Sequence, residues 1–278
     1  MKLNVFLDQM KVGLLTHDGQ TNRLTSNEFF CMKLCAAIKL PVAPVQLIHV
    51  PEPVLLITRF DRSRNEHGIS RLHAIDGCQL LGLSSSYKYE RPYGDGVDVR
   101  NIRDGASYKR LFAAMPGAAV PAAQRLFLLR WAIFQVCIGN IDAHAKNLTF
   151  MVRPDGFSLA PAYDLVCGRL YDDANISSAY AMAIGDAFDH AEVSAFEWAK
   201  FCVVTKLNPG QVQKELASIP QLILNKLDET IAMAINAKAD AEVVHRLAKF
   251  VKGECNRQVA MAPMIRKLTP QASMDMGR

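Results

Sequence analysis

The sequence has no apolar run long enough to cross a lipid bilayer. A spanning helix needs about 20 consecutive apolar residues, and the longest apolar stretches of this 278-residue chain contain Arg or Asp. The first residues include Lys2, Asp8 and Lys11 and lack the long apolar centre of a secretion signal. These two absences predict a cytoplasmic protein without a membrane partner.

Paired cysteines are also absent. The seven cysteines are an odd number and no Cys-x-x-Cys pair occurs, so the sequence indicates neither a zinc knuckle nor a thioredoxin-like motif. We expect all of them to be buried, reduced thiols that pack as small hydrophobic side chains. They are Cys31, Cys35, Cys78, Cys137, Cys167, Cys202 and Cys255.

The composition has little excess charge of either sign. The formal net charge of +5 permits an anionic partner but does not by itself indicate nucleic-acid binding. Hydrophobic residues make up 50% of the chain and charged residues 21%, which is typical of a globular protein with a substantial core. No internal repeat or low-complexity tract occurs, and the length allows one large domain or two modest ones.

The predicted elements form a small β-containing front and a mainly helical back. Alternating apolar residues predict a hairpin near the N-terminus, and two β-rich runs at 45–50 and 54–58 flank a Pro-Glu-Pro turn. A helix is predicted to begin at Ser26 and to end before Pro41. The later predicted elements are a short helix over 73–81, a buried helix over 121–139, a hairpin over 148–159, and helices over 195–204, 209–217, 219–237 and 241–251. The predicted fold class is therefore α+β.

One polar, glycine-containing segment, residues 87–107, is too long for an ordinary turn. Segments of this kind are either functional loops and lids or solvated surface excursions. The sequence leaves both interpretations open.

A dense group of polar residues follows the predicted buried helix, in the segment GNIDAHAKN at 139–147. Asp142 and Asn147 stand in the spacing Asp-x-x-x-x-Asn. In kinase catalytic loops this spacing lets the Asp accept the proton of the attacking hydroxyl while the Asn ligates Mg²⁺. His144 and Lys146 alternate with small Ala residues, so they are candidates to face the phosphates or the substrate.

A further acidic residue, Asp164, follows the return strand of the predicted hairpin, where a kinase has its second metal-binding Asp. Phosphoryl transfer spreads negative charge over the phosphoryl oxygens, and Mg²⁺ held by carboxylate and amide oxygens neutralises that charge. Because Mg²⁺ keeps several waters, one Asn and one Asp suffice as protein ligands. Together with Asp142 and Asn147, Asp164 predicts an ATP-dependent phosphotransferase.

Each of these residues also has a structural explanation when it is taken alone. Asp142 and Asn147 are of the types that cap turns, and Asp164 is of the type that caps a helix. His144 with Asp142 would be half of a transition-metal site, but no third ligand lies at helical spacing. The combination, on the two sides of one predicted hairpin, favours the phosphotransferase.

The motifs GNIDAHAKN and LAPAYDLV resemble the paired motifs of HipA-type serine/threonine kinases, the toxin components of bacterial toxin–antitoxin modules. Three more segments are similar to HipA-type segments in the expected order: SNEFFCMKLCAAIKLPVAPVQL, LLITRFDR and RLHAIDGCQLLGLSSSYKYE. The resemblance extends from about residue 21 to residue 251.

The resemblance implies a bilobal, kinase-like fold. Residues 1–20 would be the remnant hairpin of an N-terminal subdomain, residues 21–60 a partial N-lobe, and residues 61–278 a helical C-lobe. The kinase domain as a whole would therefore span 21–278.

The resemblance also implies site roles and partners. Asp142 would be the catalytic base, with Asn147 and Asp164 as Mg²⁺ ligands. ATP would be bound by Arg59, Phe60 and Asp61 at the adenine hinge, with Asp61 near the ribose, and by His144 and Lys146 at the phosphate end. The implied partners are a HipB-like helix-turn-helix antitoxin, operator DNA through that antitoxin, and a protein substrate such as an aminoacyl-tRNA synthetase.

The chain departs from the family pattern around residues 19–22. The phosphate-covering loop with its regulatory serine and the strand bearing the ATP-binding lysine have no counterpart, and no glycine-rich loop occurs between Met1 and Thr58. Lys33 and Lys39 lie on the predicted helix and are poor substitutes. A kinase without these parts loses much of its hold on the β- and γ-phosphates. The chain could be an internally deleted remnant, a kinase completed by another chain, or a shortened piece of a longer protein.

Two other functions compete with an active kinase. One is a catalytically impaired HipA-type remnant that serves as a binding module for an antitoxin–DNA complex. The other is a small-molecule kinase of the aminoglycoside-phosphotransferase type, which shares the Asp-x-x-x-x-Asn spacing. Residues 87–90 and the hinge segment argue against this last function because they resemble HipA segments.

Overall fold

The computed structural model describes residues 2–7, 10–16, 21–66, 68–171 and 179–276, and the side chains from Arg23 onward within those ranges. Its strands are β1 Lys2–Leu7, β2 Met10–Thr16, β3 Val45–His49, β4 Pro53–Ile57, β5 Arg62–Asn65, β6 Gly68–Arg71, β7 Ala74–Asp76, β8 Thr149–Arg153 and β9 Gly156–Leu159. Its helices are α1 Thr21–Ala37, α2 Gly77–Leu80, α3 Tyr108–Ala114, α4 Pro121–Ile138, α5 Ala195–Thr205, α6 Pro209–Asn236, α7 Ala241–Met261 and α8 Ile265–Asp275.

The described strands form four small antiparallel sheets. β1 pairs with β2, β3 with β4 and β5 with β6, while β7, β8 and β9 make a three-stranded sheet in that order. Seven of the eight described helices come after or between the strands of the last sheet, so the β-rich front and helical back of the α+β prediction are confirmed. The strands predicted at 45–50, 54–58 and 148–159 are confirmed as well.

Helix α1 begins at Thr21, so the predicted start at Ser26 is wrong. Ser26 is buried inside the helix, and its hydroxyl oxygen accepts a hydrogen bond from the Asp240 N–H at 2.9 Å. The Asn27 side chain is also buried and donates to the carbonyl oxygen of Cys167 at 3.0 Å. Polar side chains that look like helix-start signals therefore anchor α1 to α7 and to the segment after Asp164.

The predicted buried helix is confirmed as α4. It begins at Pro121, where the missing N–H costs nothing, and nearly every residue from Leu128 to Ile138 is buried. Trp131 and Phe134 are among its largest core side chains. Since α6 and α7 both pack against it, α4 is a rigid support for the segment that follows it.

The C-terminal helices differ from their prediction in number and length. α6 is a single helix, so the predicted break between 209–217 and 219–237 is wrong. Pro220 lies inside it and is buried; an interior proline costs roughly 3 kcal/mol, and the contacts of α6 with α1, α4, α7 and α8 outweigh that cost. α7 continues to Met261, and α8 follows where no helix was predicted.

The predicted helix over 73–81 is wrong in its first half. Ala74–Asp76 form strand β7, which pairs with β8, and only Gly77–Leu80 are helical. Asp76 caps α2 by accepting a hydrogen bond from the Gln79 N–H at 2.9 Å. A Cβ on Gly77 would lie 2.6 Å from the Ala145 carbonyl oxygen, so glycine lets α2 pack directly against the segment predicted to carry the chemistry.

All seven cysteines are buried and free, as predicted. Among the described residues, none of the helices is both long and apolar enough to span a bilayer.

Candidate functional site

The segment from Gly139 to Asn147 is fixed by two asparagine side chains. α4 ends at Gly139, whose φ of 67° is left-handed, and a Cβ there would lie 2.5 Å from the Phe250 ring. The Oδ1 of Asn140 accepts a hydrogen bond from the Asp142 N–H at 3.0 Å. The Nδ2 of Asn147 donates to the Asp142 carbonyl oxygen, also at 3.0 Å. The Asp142 backbone is therefore held from both sides.

The carboxylate of Asp142 is accessible, with 52% of its side chain exposed. Its Oδ1 accepts a hydrogen bond from the Tyr89 hydroxyl at 2.7 Å. Burial, followed by this hydrogen bond, raises the pKa of Tyr89, so the phenol stays protonated and remains a donor. Asp142 thus has one oriented oxygen and one edge open to solvent, which suits a group that accepts a proton from a substrate.

Tyr89 belongs to the polar segment 87–107, which packs on the segment from Gly139 to Asn147. The Lys88 carbonyl oxygen accepts a hydrogen bond from the Ala145 N–H at 3.1 Å. Within segment 87–107, a Cβ on Gly105 would lie 1.8 Å from the Tyr89 carbonyl oxygen, so glycine lets the end of the segment pack directly against its start. These contacts favour the functional loop over the solvated excursion.

Asp164 lies beside this segment in a left-handed backbone conformation, with φ of 54°. Burial and then the negative charge of Asp142 raise the pKa of its carboxyl group, while a hydrogen bond from Asn147 acts in the opposite direction. The three residues that the sequence assigned to base and metal therefore share one site. The raised pKa of Asp164 beside the Asp142 carboxylate shows that the surrounding protein groups do not fully neutralise the negative charge of these two residues.

His144 is buried with 6% of its surface exposed. Its Nε2 lies 2.9 Å from the Lys88 Nζ, and its ring packs edge-on against Tyr89 at 5.2 Å. Burial lowers the pKa of His144, and the Lys88 charge lowers it further. The neutral imidazole can accept a hydrogen bond from the Lys88 ammonium, so His144 orients Lys88 and lies behind Tyr89.

Lys146 is engaged by a carboxylate outside the predicted set. Its Nζ lies 2.5 Å from the Asp76 Oδ2, and this contact raises the pKa of the lysine. The Lys146 carbonyl oxygen accepts a hydrogen bond from the Tyr163 hydroxyl at 2.8 Å. Asp76 therefore holds the ammonium at the start of α2.

The predicted hinge residues form a compact pair of charges beside an aromatic contact. Arg59 donates to both carboxylate oxygens of Asp61, at 2.7 and 2.6 Å, and Arg62 donates to the same group at 2.5 Å. These arginines lower the pKa of Asp61. The Phe60 ring lies 5.6 Å from the ring of Tyr163, the residue before Asp164. The predicted hinge residues thus lie next to the segment that carries Asp164.

Glu28 is the residue of the site that the sequence pattern missed most completely. It lies on α1, partly buried, and burial together with the charge of Asp164 raises its pKa to about 7. No cation pairs with it among the side chains that the structure describes. Its place between Asn27 and Phe29 gives no local signal, because only the folded chain brings Glu28 close enough for the charge of Asp164 to affect it.

The raised pKa of Glu28 predicts a pH-dependent stability. The folded state keeps the proton up to about pH 7 while the unfolded chain releases it near 4.5, so wild-type stability falls as pH rises from about 4.5 through 7. Glu28→Gln removes this loss, and we expect its advantage over wild type to grow from near zero at pH 4.5 to about 1–3 kcal/mol at pH 8. Urea unfolding in EDTA, which keeps Asp164 free of cations, measures the difference.

Glu229→Gln is the control for this substitution because the Glu229 side chain is 70% exposed. We expect its free energy of unfolding to follow the wild-type dependence on pH. A Glu28→Gln advantage that is the same at pH 5 and pH 8 contradicts the assignment.

The donor set fits a magnesium ion. Asn147 and Asp164 would be the protein ligands, since they are adjacent and supply the hard oxygen donors that Mg²⁺ prefers. Among the described residues, no group of three or more His, Cys, Asp or Glu side chains is arranged to hold a metal. A two-ligand site that takes its other ligands from water and phosphate agrees with both observations.

Comparison with known proteins identifies the family. The HipA-like C-terminal domain model matches residues 10–235 of the chain. A serine/threonine-protein kinase toxin HipA of Shewanella oneidensis is 34% identical over 249 residues, which are 88% of this chain and 57% of that protein. The putative kinase Y4mE of Sinorhizobium fredii is 31% identical over 82% of this chain and 52% of its own length. The chain therefore spans little more than half the length of these relatives.

Solved structures agree with the sequence matches. HipA in a Shewanella oneidensis MR-1 complex with HipB and operator DNA has a TM-score of 0.81 and 30% identity, over 96% of this chain and 65% of that one. The Helicobacter pylori proinflammatory kinase CtkA has a TM-score of 0.54 and 13% identity, over 98% and 91% of the two chains, and it supports the kinase-like fold alone. By sequence and by fold, this chain belongs to the HipA-like C-terminal domain family.

Proposed function

We propose that this chain is the catalytic part of a HipA-type serine/threonine kinase, which transfers the γ-phosphate of ATP to a serine of another protein. The observation that supports this most strongly is the placement of Asp142. Its backbone is clamped between Asn140 and Asn147, and its accessible carboxylate lies beside Asp164. A base next to a metal-binding pair is the minimum that phosphoryl transfer requires.

In the proposed reaction the acceptor hydroxyl gives its proton to the Asp142 carboxylate. Its oxygen forms a bond to the γ-phosphorus, and the bond from that phosphorus to the β,γ-bridging oxygen breaks, so that ADP leaves. Mg²⁺ held by Asn147 and Asp164 would supply the neutralisation of charge on the phosphate oxygens. Lys88, which His144 orients, is a cation near Asp142 and Asp164 and is not paired with either carboxylate.

For the nucleotide we propose the hinge formed by Arg59, Phe60 and Asp61. Phe60 offers an aromatic face close to Tyr163, and its neighbours offer charged hydrogen-bonding groups. Lys146 would reach the phosphates if it exchanged Asp76 for a phosphate oxygen. His144 acts through Lys88, because its Nε2 already contacts the ammonium.

The solved HipA complex supports a proposal for partners. HipA in that complex is bound with HipB and operator DNA. We propose a HipB-like helix-turn-helix antitoxin as a partner of this chain, operator DNA through that antitoxin, an aminoacyl-tRNA synthetase as the protein substrate, and the cytoplasm as the location.

Transfer of ³²P from [γ-³²P]ATP tests this function. The full chain is incubated with Mg²⁺, with and without a panel of purified aminoacyl-tRNA synthetases, and labelled serine is identified by mass spectrometry. We expect incorporation that stops when EDTA is added. Absence of label in the chain and in every synthetase, at enzyme concentrations equal to the substrate, contradicts an active kinase.

A second candidate function is an impaired HipA-type binding module, and the unpaired Glu28 favours it. In active protein kinases a helix glutamate pairs with the lysine that holds the α- and β-phosphates. Among the described residues, no lysine pairs with Glu28. Calorimetry with Mg²⁺-ATP separates the candidates. Micromolar binding supports the kinase, whereas no detectable binding together with capture of an antitoxin supports the module.

A further inference from the structure

A cleft of about 650 Å³ opens beside Asp142. Asp142 lines it, but Asn147, Asp164 and Lys146 do not. The cleft therefore adjoins the proposed base but does not include the proposed metal-binding pair. In phosphoryl transfer the acceptor and the leaving group lie roughly in line through the phosphorus, so an acceptor must reach Asp142 from a space that the metal and the leaving group do not occupy.

The walls of the cleft are mainly apolar and aromatic. They include Leu24 of α1, Tyr89, Ile141, Tyr171 and Phe188. The volume is within the range of about 300–1,000 Å³ that is usual for ligand sites. A lining of this kind binds apolar side chains in preference to charged ones.

The arginine of the cleft is engaged by two neighbours. The Arg91 guanidinium stacks on the Phe188 ring at 3.6 Å, and its Nη1 donates to the Asp95 Oδ1 at 3.0 Å. A phosphate or a free carboxylate would have to compete with Asp95 for this guanidinium. The wall itself is fixed by backbone hydrogen bonds, because the Ala181 N–H donates to the Ile141 carbonyl oxygen at 3.0 Å.

The Tyr89 hydroxyl marks the end of the cleft where chemistry would occur. It lies on the cleft wall and reaches the Asp142 Oδ1 at 2.7 Å. A hydroxyl carried by a molecule in the cleft would therefore have the same carboxylate within reach. An amino acid next to it in a peptide would lie against the apolar wall.

We propose that this cleft is the acceptor site and that it selects a serine-containing polypeptide segment with an apolar side chain next to the serine. The inference rests on the proposed kinase function, since it assigns the second substrate of that reaction. The acceptor class is a peptide with Leu, Met or Phe beside the serine, and the Leu24 and Phe188 walls contact that side chain.

Binding of two fluorescein-labelled dodecapeptide pools tests the inference without turnover. Both pools have a fixed central serine; one has Leu on either side of it and the other has Gln, which is similar in size but polar. Fluorescence anisotropy is measured on the full chain with Mg²⁺ and a non-hydrolysable ATP analogue. We expect the Leu pool to bind roughly 10- to 100-fold more tightly, as burial of one apolar side chain provides.

Leu24→Asp provides the site-specific test. Leu24 is 49% exposed at the cleft, and Leu222, on α6 and outside the cleft, is 43% exposed, so Leu222→Asp is a matched control. We expect Leu24→Asp to bring the affinity of the Leu pool down to that of the Gln pool, and Leu222→Asp to leave it unchanged. Equal binding of the two pools, no binding of either, or equal loss in both variants overturns the inference.

Comparison with phosphate transfer separates this inference from the proposed function. A chain that labels protein serine but shows no preference between the pools keeps the kinase function and loses the cleft as a selective site. A chain that prefers the Leu pool, loses that preference with Leu24→Asp and transfers no phosphate retains the peptide site and loses the kinase function.

Discussion

Replacing Asp142 with Asn should lower the rate of phosphoryl transfer by about 10²–10⁴-fold, the usual contribution of a positioned general base. The amide has nearly the same shape as the carboxylate, and its oxygen can still accept the hydrogen bond from Tyr89. The backbone contacts with Asn140 and Asn147 do not involve the Asp142 side chain, so they should persist. The substitution therefore removes proton acceptance and leaves the site's geometry in place.

The measurement is single-turnover transfer from [γ-³²P]ATP together with the affinity for Mg²⁺-ATP. We expect the rate to fall while nucleotide affinity changes less than about threefold, because Asp142 acts in the transition state. Asp155→Asn, in the exposed turn between β8 and β9, is the control and should transfer phosphate at the wild-type rate. A rate for Asp142→Asn within a factor of ten of wild type would exclude Asp142 as the base.

Local spacing predicted the part of the site that lies on one stretch of chain. Asp142 and Asn147 are five residues apart, and the Asn147 side chain closes the turn between them. Residues this close in sequence are necessarily close in space, so their spacing alone indicated that they share a site. Asp164 could be placed because a short hairpin, β8 and β9, returns the chain to where it started. These are cases in which a pattern of residues specifies geometry directly.

The rest of the site depends on contacts between distant segments. Tyr89 meets Asp142 across 53 positions, and Lys88 meets His144 across 56. The polar segment 87–107 shows no hydrophobic period, so its sequence gives no indication of which surface it covers. Glu28 comes near Asp164 because its neighbour Asn27 anchors α1 to Cys167, in the segment after Asp164. The residue pattern of α1 alone does not show which distant segment meets a polar side chain.

The fold was predicted best where burial produces a strong local pattern. α4 is apolar almost all round and was bounded by Pro121 and Gly139, both of which have local physical reasons to be there. β7 was missed because Ala74–Asp76 become a strand only by pairing with β8. The two strands are far apart in sequence, since the paired residues Ile75 and Phe150 are 75 positions apart. α6 was divided at Pro220 because local propensity opposes a helix there, and packing overrides it.

Replacing Asp164 with Asn should reduce kcat/KM for Mg²⁺-ATP by about 10²–10³-fold, the cost of removing one strong electrostatic contact to the phosphates. The carboxylate is the only charged member of the Asn147–Asp164 pair, so the variant keeps the oxygen donors and loses the charge. Asn is the appropriate replacement because the φ of 54° at this position is tolerated by Asn better than by most residues. Asp164→Ala would add backbone strain of about 1–2 kcal/mol to the loss of the ligand.

Calorimetric titration of Mg²⁺ in the presence of a non-hydrolysable ATP analogue measures the metal contribution separately from turnover. Asp240→Asn, at the N-cap of α7, is the control, since Asn caps a helix as well as Asp does. We expect the control to keep the wild-type Mg²⁺ affinity and the wild-type melting temperature. Wild-type affinity in Asp164→Asn would exclude Asp164 as a ligand.

The pH dependence of Mg²⁺ affinity gives an independent check on the same residue. Burial and the charge of Asp142 raise the pKa of Asp164, so a proton competes with the metal for the carboxylate over a higher pH range than for an exposed Asp. Wild-type affinity should therefore fall as the pH is lowered toward that raised pKa. Asp164→Asn has no such proton to release, so its weaker affinity should depend less on pH. Parallel profiles for the two proteins would place the titrating group elsewhere in the site.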